Sequence, residues 1–168
     1  MAIEVHPAIV KNLLWSSEDQ TRTFAEALAK QVQSAGSDLN ASIQLRGDLG
    51  AGKTTLVRYL LKALGVEGRI KSPTYAVVEP YTVSGPNAGS VNIWHFDFYR
   101  FNDPDEWEEA GFREIFASPG LKLVEWPEKA GEYLPSADLL LDIELTAADE
   151  RMVSVQALTL AGARLVNT

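Results

Sequence analysis

Apolar residues recur along this chain at two spacings. Phe24, Leu28 and Val32 recur at helical spacing, with Ser16 and Ser17 ahead as cap residues and Glu26 four residues before Lys30. That pattern predicts an amphipathic helix over residues 18 to 33. A second helical pattern, KTTLVRYLLKAL (53 to 64), stops before Gly65, a residue suited to the position after a helix end. Between and after them stand short apolar or alternating runs: SIQLRG (42 to 47), YAVVEPYTV (75 to 83), VNIWHFDFYR (91 to 100), LKLVEW (121 to 126), DLLLDIEL (138 to 145) and RMVSVQAL (151 to 158). These read as strands. DPDEWEEA (103 to 110) reads as a short acidic helix, and SGPNAGS (84 to 90) is turn chemistry for a hairpin loop.

The last strands follow one another without a helix between them, so part of the sheet is expected to be antiparallel. The fold class is α/β: a mixed sheet with a parallel centre, antiparallel strands toward the edges and helices on its faces. Neither a repeat nor a Pro/Ser-rich linker divides the chain, which reads as one domain over residues 1 to 168.

Composition narrows the chemistry. There are 15 Lys and Arg against 23 Asp and Glu, a formal net charge of −8. Carboxylates in excess oppose broad contact with nucleic-acid phosphate, whose affinity comes from cations releasing counterions. The absence of cysteine removes disulfides, thiolate metal sites and a cysteine nucleophile, and His6 and His95 alone are too few for a His-rich zinc site. Any metal is expected to be a hard ion held by oxygen. The start MAIEVHPAIVKNLLW has no basic segment leading into an apolar core, and no run approaches the roughly 20 apolar residues that span a bilayer. The expected location is cytoplasmic, without membrane contact.

Residues 47 to 54, GDLGAGKT, fit G-x-x-x-x-G-K-[ST] at every position, between a predicted strand and a predicted helix, with Thr55 following. Gly47, Gly50 and Gly52 permit positive φ and lack Cβ atoms, so successive N–H groups can converge on phosphate oxygens at the positive end of the helix. Lys53 can bridge β- and γ-phosphates, and Thr54 can present its hydroxyl to a magnesium ion shared with them. The fold expectation thereby becomes P-loop NTPase-like. Neither N-K-x-D nor D-x-x-G occurs, which disfavours GTP. In an open α/β sheet the ligand sits outside the carboxyl ends of the parallel strands. Asp97 lies near the end of one predicted strand and Glu125 at the end of another, each a candidate for magnesium and water and each, alone, equally explicable as a solvated strand-end charge.

GDLGAGKTTL, KSPTY, HFDFYR and LVEWPEK, in that order, resemble the TsaE family of bacterial ATPases, formerly YjeE, over roughly residues 42 to 158. The resemblance implies a part in forming N6-threonylcarbamoyladenosine in tRNA with the TsaD and TsaB proteins, tRNA being met only through that complex. It implies that Gly50, Ala51, Gly52, Lys53, Thr54 and Thr55 bind ATP, that Thr54 and Glu125 serve Mg2+, and that Asp97 lies by the γ-phosphate or the attacking water. Catalytic roles then fall to Lys53, Asp97 and Glu125. Thr74 is either a γ-phosphate sensor or part of an ordinary Ser-Pro turn. Arg100 either neutralises developing charge or pairs with Asp103. Trp126 reads as a packed rim residue more than a nucleotide contact, and His95 as a hydrogen-bonded scaffold more than a base. Arg151 is a nucleotide-binding candidate, weighed against a solvated strand arginine. Ser17 and Glu18 are carried over weakly as enclosing the adenine, and the 84 to 90 loop is longer than the pattern. Two other classes stay open: a nucleotide-gated interaction module in which hydrolysis only resets the state, and a stand-alone small-molecule kinase.

Overall fold

The strand Gly120–Glu125 (β5) is buried at all six positions, which a strand achieves only with neighbours on both edges and cover on both faces. The computed structural model describes residues 9–70, 72–73, 75–84 and 89–166. The other strands are β1 (Ile9–Trp15), β2 (Asn40–Arg46), β3 (Val78–Ser84), β4 (Ser90–Asp97), β6 (Leu139–Leu145) and β7 (Arg151–Ala157). They form one sheet in the order β1-β7-β6-β2-β5-β4-β3. β6, β2, β5 and β4 are mutually parallel; β7 pairs antiparallel with β6, β1 antiparallel with β7, and β3 antiparallel with β4. The expected mixed sheet with a parallel centre and antiparallel edges is the fold observed.

Helices α1 (Glu18–Ala35), α2 (Lys53–Ala63) and α5 (Leu160–Val166) contribute to one large core. Leu28 and Val32 of α1, Leu56 and Leu60 of α2 and Leu165 of α5 meet Ile43, Leu121, Leu141 and Val155 of the sheet there. Burying each such side chain is worth about 1.5–3 kcal/mol. The exposed ion pair Arg22–Asp19, at 2.8 Å, is worth about 0.3–0.5 kcal/mol. Burial, not surface charge, therefore holds α1. Glu26 pairs with Arg22 on the preceding turn at 3.7 Å, where the sequence suggests Lys30 on the following one. Ser17 is the N-cap residue but its side chain makes no cap bond; Gln20 reaches back to the amide and hydroxyl of Ser16. α2 ends as expected at Gly65, with φ of 100°, its amide on Lys62 O and that of Val66 on Leu61 O.

The other face of β4 and β5 carries an aromatic core. Phe96, Phe98, Phe101, Trp107, Phe112 and Val124 cluster there, with Trp107 and Phe112 supplied by α3 (Asp105–Glu109) and the residue preceding α4 (Arg113–Ala117). Because side chains alternate, this apolar face obliges His95, Asp97 and Glu125 to point to the α2 side.

Four of the differences from the sequence pattern have a plain physical cause. β1 was not apparent because an outermost strand needs little apolar alternation: only Trp15 is buried. α5 approaches β6 so closely that a Cβ on Gly162 would lie 1.8 Å from Asp138 O, a contact no helix periodicity reveals. β3 begins at Val78, not at 75, because Val77 takes φ of 69°. β4 ends at Asp97, not at 100, where Asp97 Oδ1 accepts the Tyr99 amide at 2.9 Å and turns the chain away. Among the described residues no helix is long and apolar enough to cross a membrane.

Lys122, inside β5, is 1% exposed. Its ammonium donates to Asn40 Oδ1 at 2.7 Å and to Ser118 O. Burial pushes its pKa down to about 8 from an ordinary 10.5, against the opposing charge of Asp138. The folded chain thus releases this proton near pH 8, while the unfolded chain keeps it until 10.5. Between those values the unfolded state binds more protons, so this group makes unfolding costlier as pH rises. Urea denaturation at pH 8 and pH 10 should show the parent gaining stability relative to Lys122→Met; parallel pH dependence in the two proteins would refute the assignment.

Candidate functional site

β2 delivers the chain at Arg46 into residues 47 to 52, and α2 starts from Gly52 in a left-handed conformation with φ of 109°. Gly47 has φ of 153° and Gly50 has φ of 80°. A Cβ on Gly47 would stand 2.4 Å from Ile143 O, so the loop's first residue is pressed against β6, whereas a Cβ on Gly50 would meet nothing within 4 Å. Ala51 is buried, its amide bonded to Asp48 O at 3.1 Å and its carbonyl taken by Arg151 Nε at 2.8 Å. The unpaired amides of the first turn of α2 open beside this loop, the arrangement that attracts anions.

Lys53 is 4% exposed. Its ammonium donates to Gly47 O and lies 3.7 Å from the centre of the Trp126 ring. Burial lowers the lysine's pKa, and the charges of Glu125, Glu128, Asp97 and Asp48 oppose that shift. Trp126 reaches this position because it takes a left-handed conformation, φ 58° and ψ 49°, directly after β5. It is more than a rim residue: its ring covers the loop lysine.

The strand registers assemble the acidic groups. Glu125 is paired with Leu45 of β2 on one side and with Asp97 of β4 on the other. Thr54, on the first turn of α2, donates to Glu125 Oε1 at 2.7 Å, and His95 Nε2 lies 2.5 Å from Glu125 Oε2. Asp97 is also buried. Its pKa is raised by burial and further by Glu125, against the Tyr99 amide and the charge of Lys53. Among the described residues no group of three or more His, Asp and Glu stands ready to hold a metal ion. The donor set of one hydroxyl and one or two carboxylates suits Mg2+ completed by phosphate oxygens and water, since that ion binds few protein ligands.

Thr55 and Arg151 line a separate recess of about 360 Å³, with Trp15, Ser17 and Glu18 at the β1–α1 junction and Asp149. Arg151, weighed as a solvated strand residue, is instead bonded to the loop backbone. Arg100 stacks on Tyr75, 4.2 Å from the ring centre, while Asp103 Oδ1 accepts the Asp105 amide. Thr74 lies outside the described residues. Sequence reasoning missed the cover that Trp126 forms over Lys53 and the Trp15 and Asp149 walls of the recess; a tryptophan directly after a strand-end glutamate was the one signal for the first.

The family model for threonylcarbamoyl adenosine biosynthesis protein TsaE matches residues 15–153. The tRNA threonylcarbamoyladenosine biosynthesis protein TsaE of Haemophilus influenzae is 40% identical over 146 residues, 87% of this chain and 86% of that protein. The protein of the same name from Bacillus subtilis is 34% identical over 148 residues, covering 88% and 87%, and that from Aquifex aeolicus is 34% identical over 149 residues, covering 88% and 96%. The crystal structure of Bacillus subtilis YdiB superimposes with a TM-score of 0.72 at 28% identity, over 95% of this chain and 93% of that one.

The loop geometry has a direct test. Gly47→Ala must displace backbone as well as adopt positive φ, so it should cost about 2 kcal/mol or more. Gly50→Ala, with open space around it, should cost about 1 kcal/mol. Equal urea midpoints for the two variants would show that the loop is not pressed against β6.

Proposed function

This chain belongs to the TsaE family of threonylcarbamoyl adenosine biosynthesis proteins, and from that premise we propose that it binds and hydrolyses ATP with Mg2+ to serve the formation of N6-threonylcarbamoyladenosine in tRNA. The observation that carries the reading is the convergence on Glu125 at the foot of a phosphate loop: Thr54 Oγ1 is 2.7 Å away and Asp97 is the cross-strand neighbour.

The loop amides and the start of α2 bind the phosphates of ATP, and Lys53 exchanges the Gly47 carbonyl for phosphate oxygen, a better partner for a cation. Thr54 and Glu125 hold Mg2+, which neutralises charge on the phosphate oxygens when bound. The recess beside Thr55, bounded by Ser17 and Glu18, takes the nucleoside. Asp97 orients water toward the γ-phosphate: the water oxygen bonds to phosphorus, the bond to the β–γ bridging oxygen breaks, ADP leaves and the water's proton is taken up by the carboxylate. Burial raises the proton affinity of Asp97, which suits that role.

Partners complete the assembly. A chain of net charge −8 is poorly equipped to grip RNA phosphate, so the tRNA is reached through the TsaD and TsaB proteins. Arg100, stacked on an exposed Tyr75, does not neutralise the transition state in the free chain, and turnover is slow until those partners dock.

Lys53→Ala should weaken ATP binding roughly 10- to 100-fold, the worth of a hydrogen bond to a charged group, with circular dichroism unchanged; undiminished affinity by calorimetric titration would sink the phosphate-loop reading. Asp97→Ala and Glu125→Ala should bind ATP within a few-fold of the parent yet release phosphate on the order of 10²-fold more slowly. Parental rates in both would remove the strand-end carboxylates from the chemistry.

A further inference from the structure

We propose that His95 is a positioning residue for the metal-facing pair: a neutral imidazole that tethers one oxygen of Glu125 so that the other holds the Thr54 hydroxyl with its lone pairs turned outward. This rests on the reading of Thr54 and Glu125 as the groups that serve Mg2+.

Parity along β4 places His95 on the same side as Asp97, one row deeper, opposite Leu123 of β5. The imidazole is 1% exposed and Glu125 2%. An ionised carboxylate only accepts hydrogen bonds, so the ring nitrogen 2.5 Å from Glu125 Oε2 must carry the proton. His95 Nδ1 is buried without a hydrogen-bond partner among the described residues. Placing a proton there would bury an unsatisfied donor, a costlier orphan than a lone pair on a neutral ring. One tautomer meets both conditions: Nε2–H donating to Glu125 and Nδ1 bare.

The chain of bonds then has a direction. Nε2–H donates to Oε2, and Thr54 Oγ1–H donates to Oε1 at 2.7 Å. A hydroxyl whose proton is committed in this way has its lone pairs free for a cation. Glu125 without the tether regains rotamer freedom, and the hydroxyl loses its fixed acceptor. An apolar residue would fill the same volume in β4 without the cost of burying an imidazole, so the histidine's contribution is the bond it makes to Glu125.

The test has two arms on the full chain. In ¹⁵N-histidine NMR of the nucleotide-free protein, with His6 and His95 as its only imidazoles and His95→Gln supplying the assignment, the His95 pattern should be that of the Nε2–H tautomer; an Nδ1–H pattern overturns the proposal. In steady-state phosphate release, His95→Leu should lower kcat roughly 10- to 100-fold, the usual effect of removing a group that orients a metal-facing ligand. It should also raise the Mg2+ concentration needed for half-maximal rate, with KM for ATP little changed. His95→Gln, whose amide N–H extends as far as Nε2, should stay within a few-fold of the parent. Parental kcat in His95→Leu, or equal loss in both variants, overturns the tether. Absence of phosphate release by the parent itself would instead defeat the ATPase reading, and the NMR arm would still decide whether the tether exists.

Discussion

In the parallel register of β2, β5 and β4, Leu45 lies beside Glu125 and Glu125 beside Asp97, so the end of the strand feeding the phosphate loop shares a row with both acidic groups. Everything at the site depends on that alignment. A slip of β5 by one residue would turn Glu125 to the opposite face, among Phe96, Phe98 and Trp107, where an unpaired carboxylate costs several kcal/mol. The same slip would expose Leu121 and Leu123 to that side and remove them from the core beneath α2. The hydrophobic pattern that folds the sheet and the chemistry at its edge are therefore one constraint.

The free chain holds its cationic and anionic groups in a closed arrangement. Lys53 is occupied by the Gly47 carbonyl and the Trp126 ring, and Thr54 by Glu125. Each donor has a protein acceptor that phosphate can displace or complement, so the loop meets its ligand without first burying an unpaired charge. Burial depresses the lysine's proton affinity while four surrounding carboxylates restore part of it. Such a balance suits a cation beside the phosphate site proposed above.

Much of this was legible in the chain of residues, and the limits have physical causes. GDLGAGKT names its own backbone requirement, and Gly47, Gly50 and Gly52 all adopt positive φ. Asp97 and Glu125 stood out because an acid ending an apolar run is conspicuous, and alternation sets which face it takes. Alternation does not reveal which strand lies alongside, so the bond from His95 to Glu125, across 30 positions of sequence, was out of reach. Nor did it reveal the left-handed turn at Trp126, or the fate of Arg100 on Tyr75, because both follow from where the chain turns after a strand and not from the strand. β1 escaped notice because its apolar residues, IV and LLW around Lys11 and Asn12, do not alternate.

In the function proposed here, hydrolysis at the Thr54, Glu125 and Asp97 convergence is gated by a protein complex that carries the tRNA. Steady-state phosphate release measured for the chain alone, with TsaD and TsaB proteins, and with tRNA added tests it most directly. Release should be slow for the chain alone and rise on the order of 10³-fold in the complex, the scale of supplying a missing charge-stabilising group. Equal rates in all three conditions would contradict it.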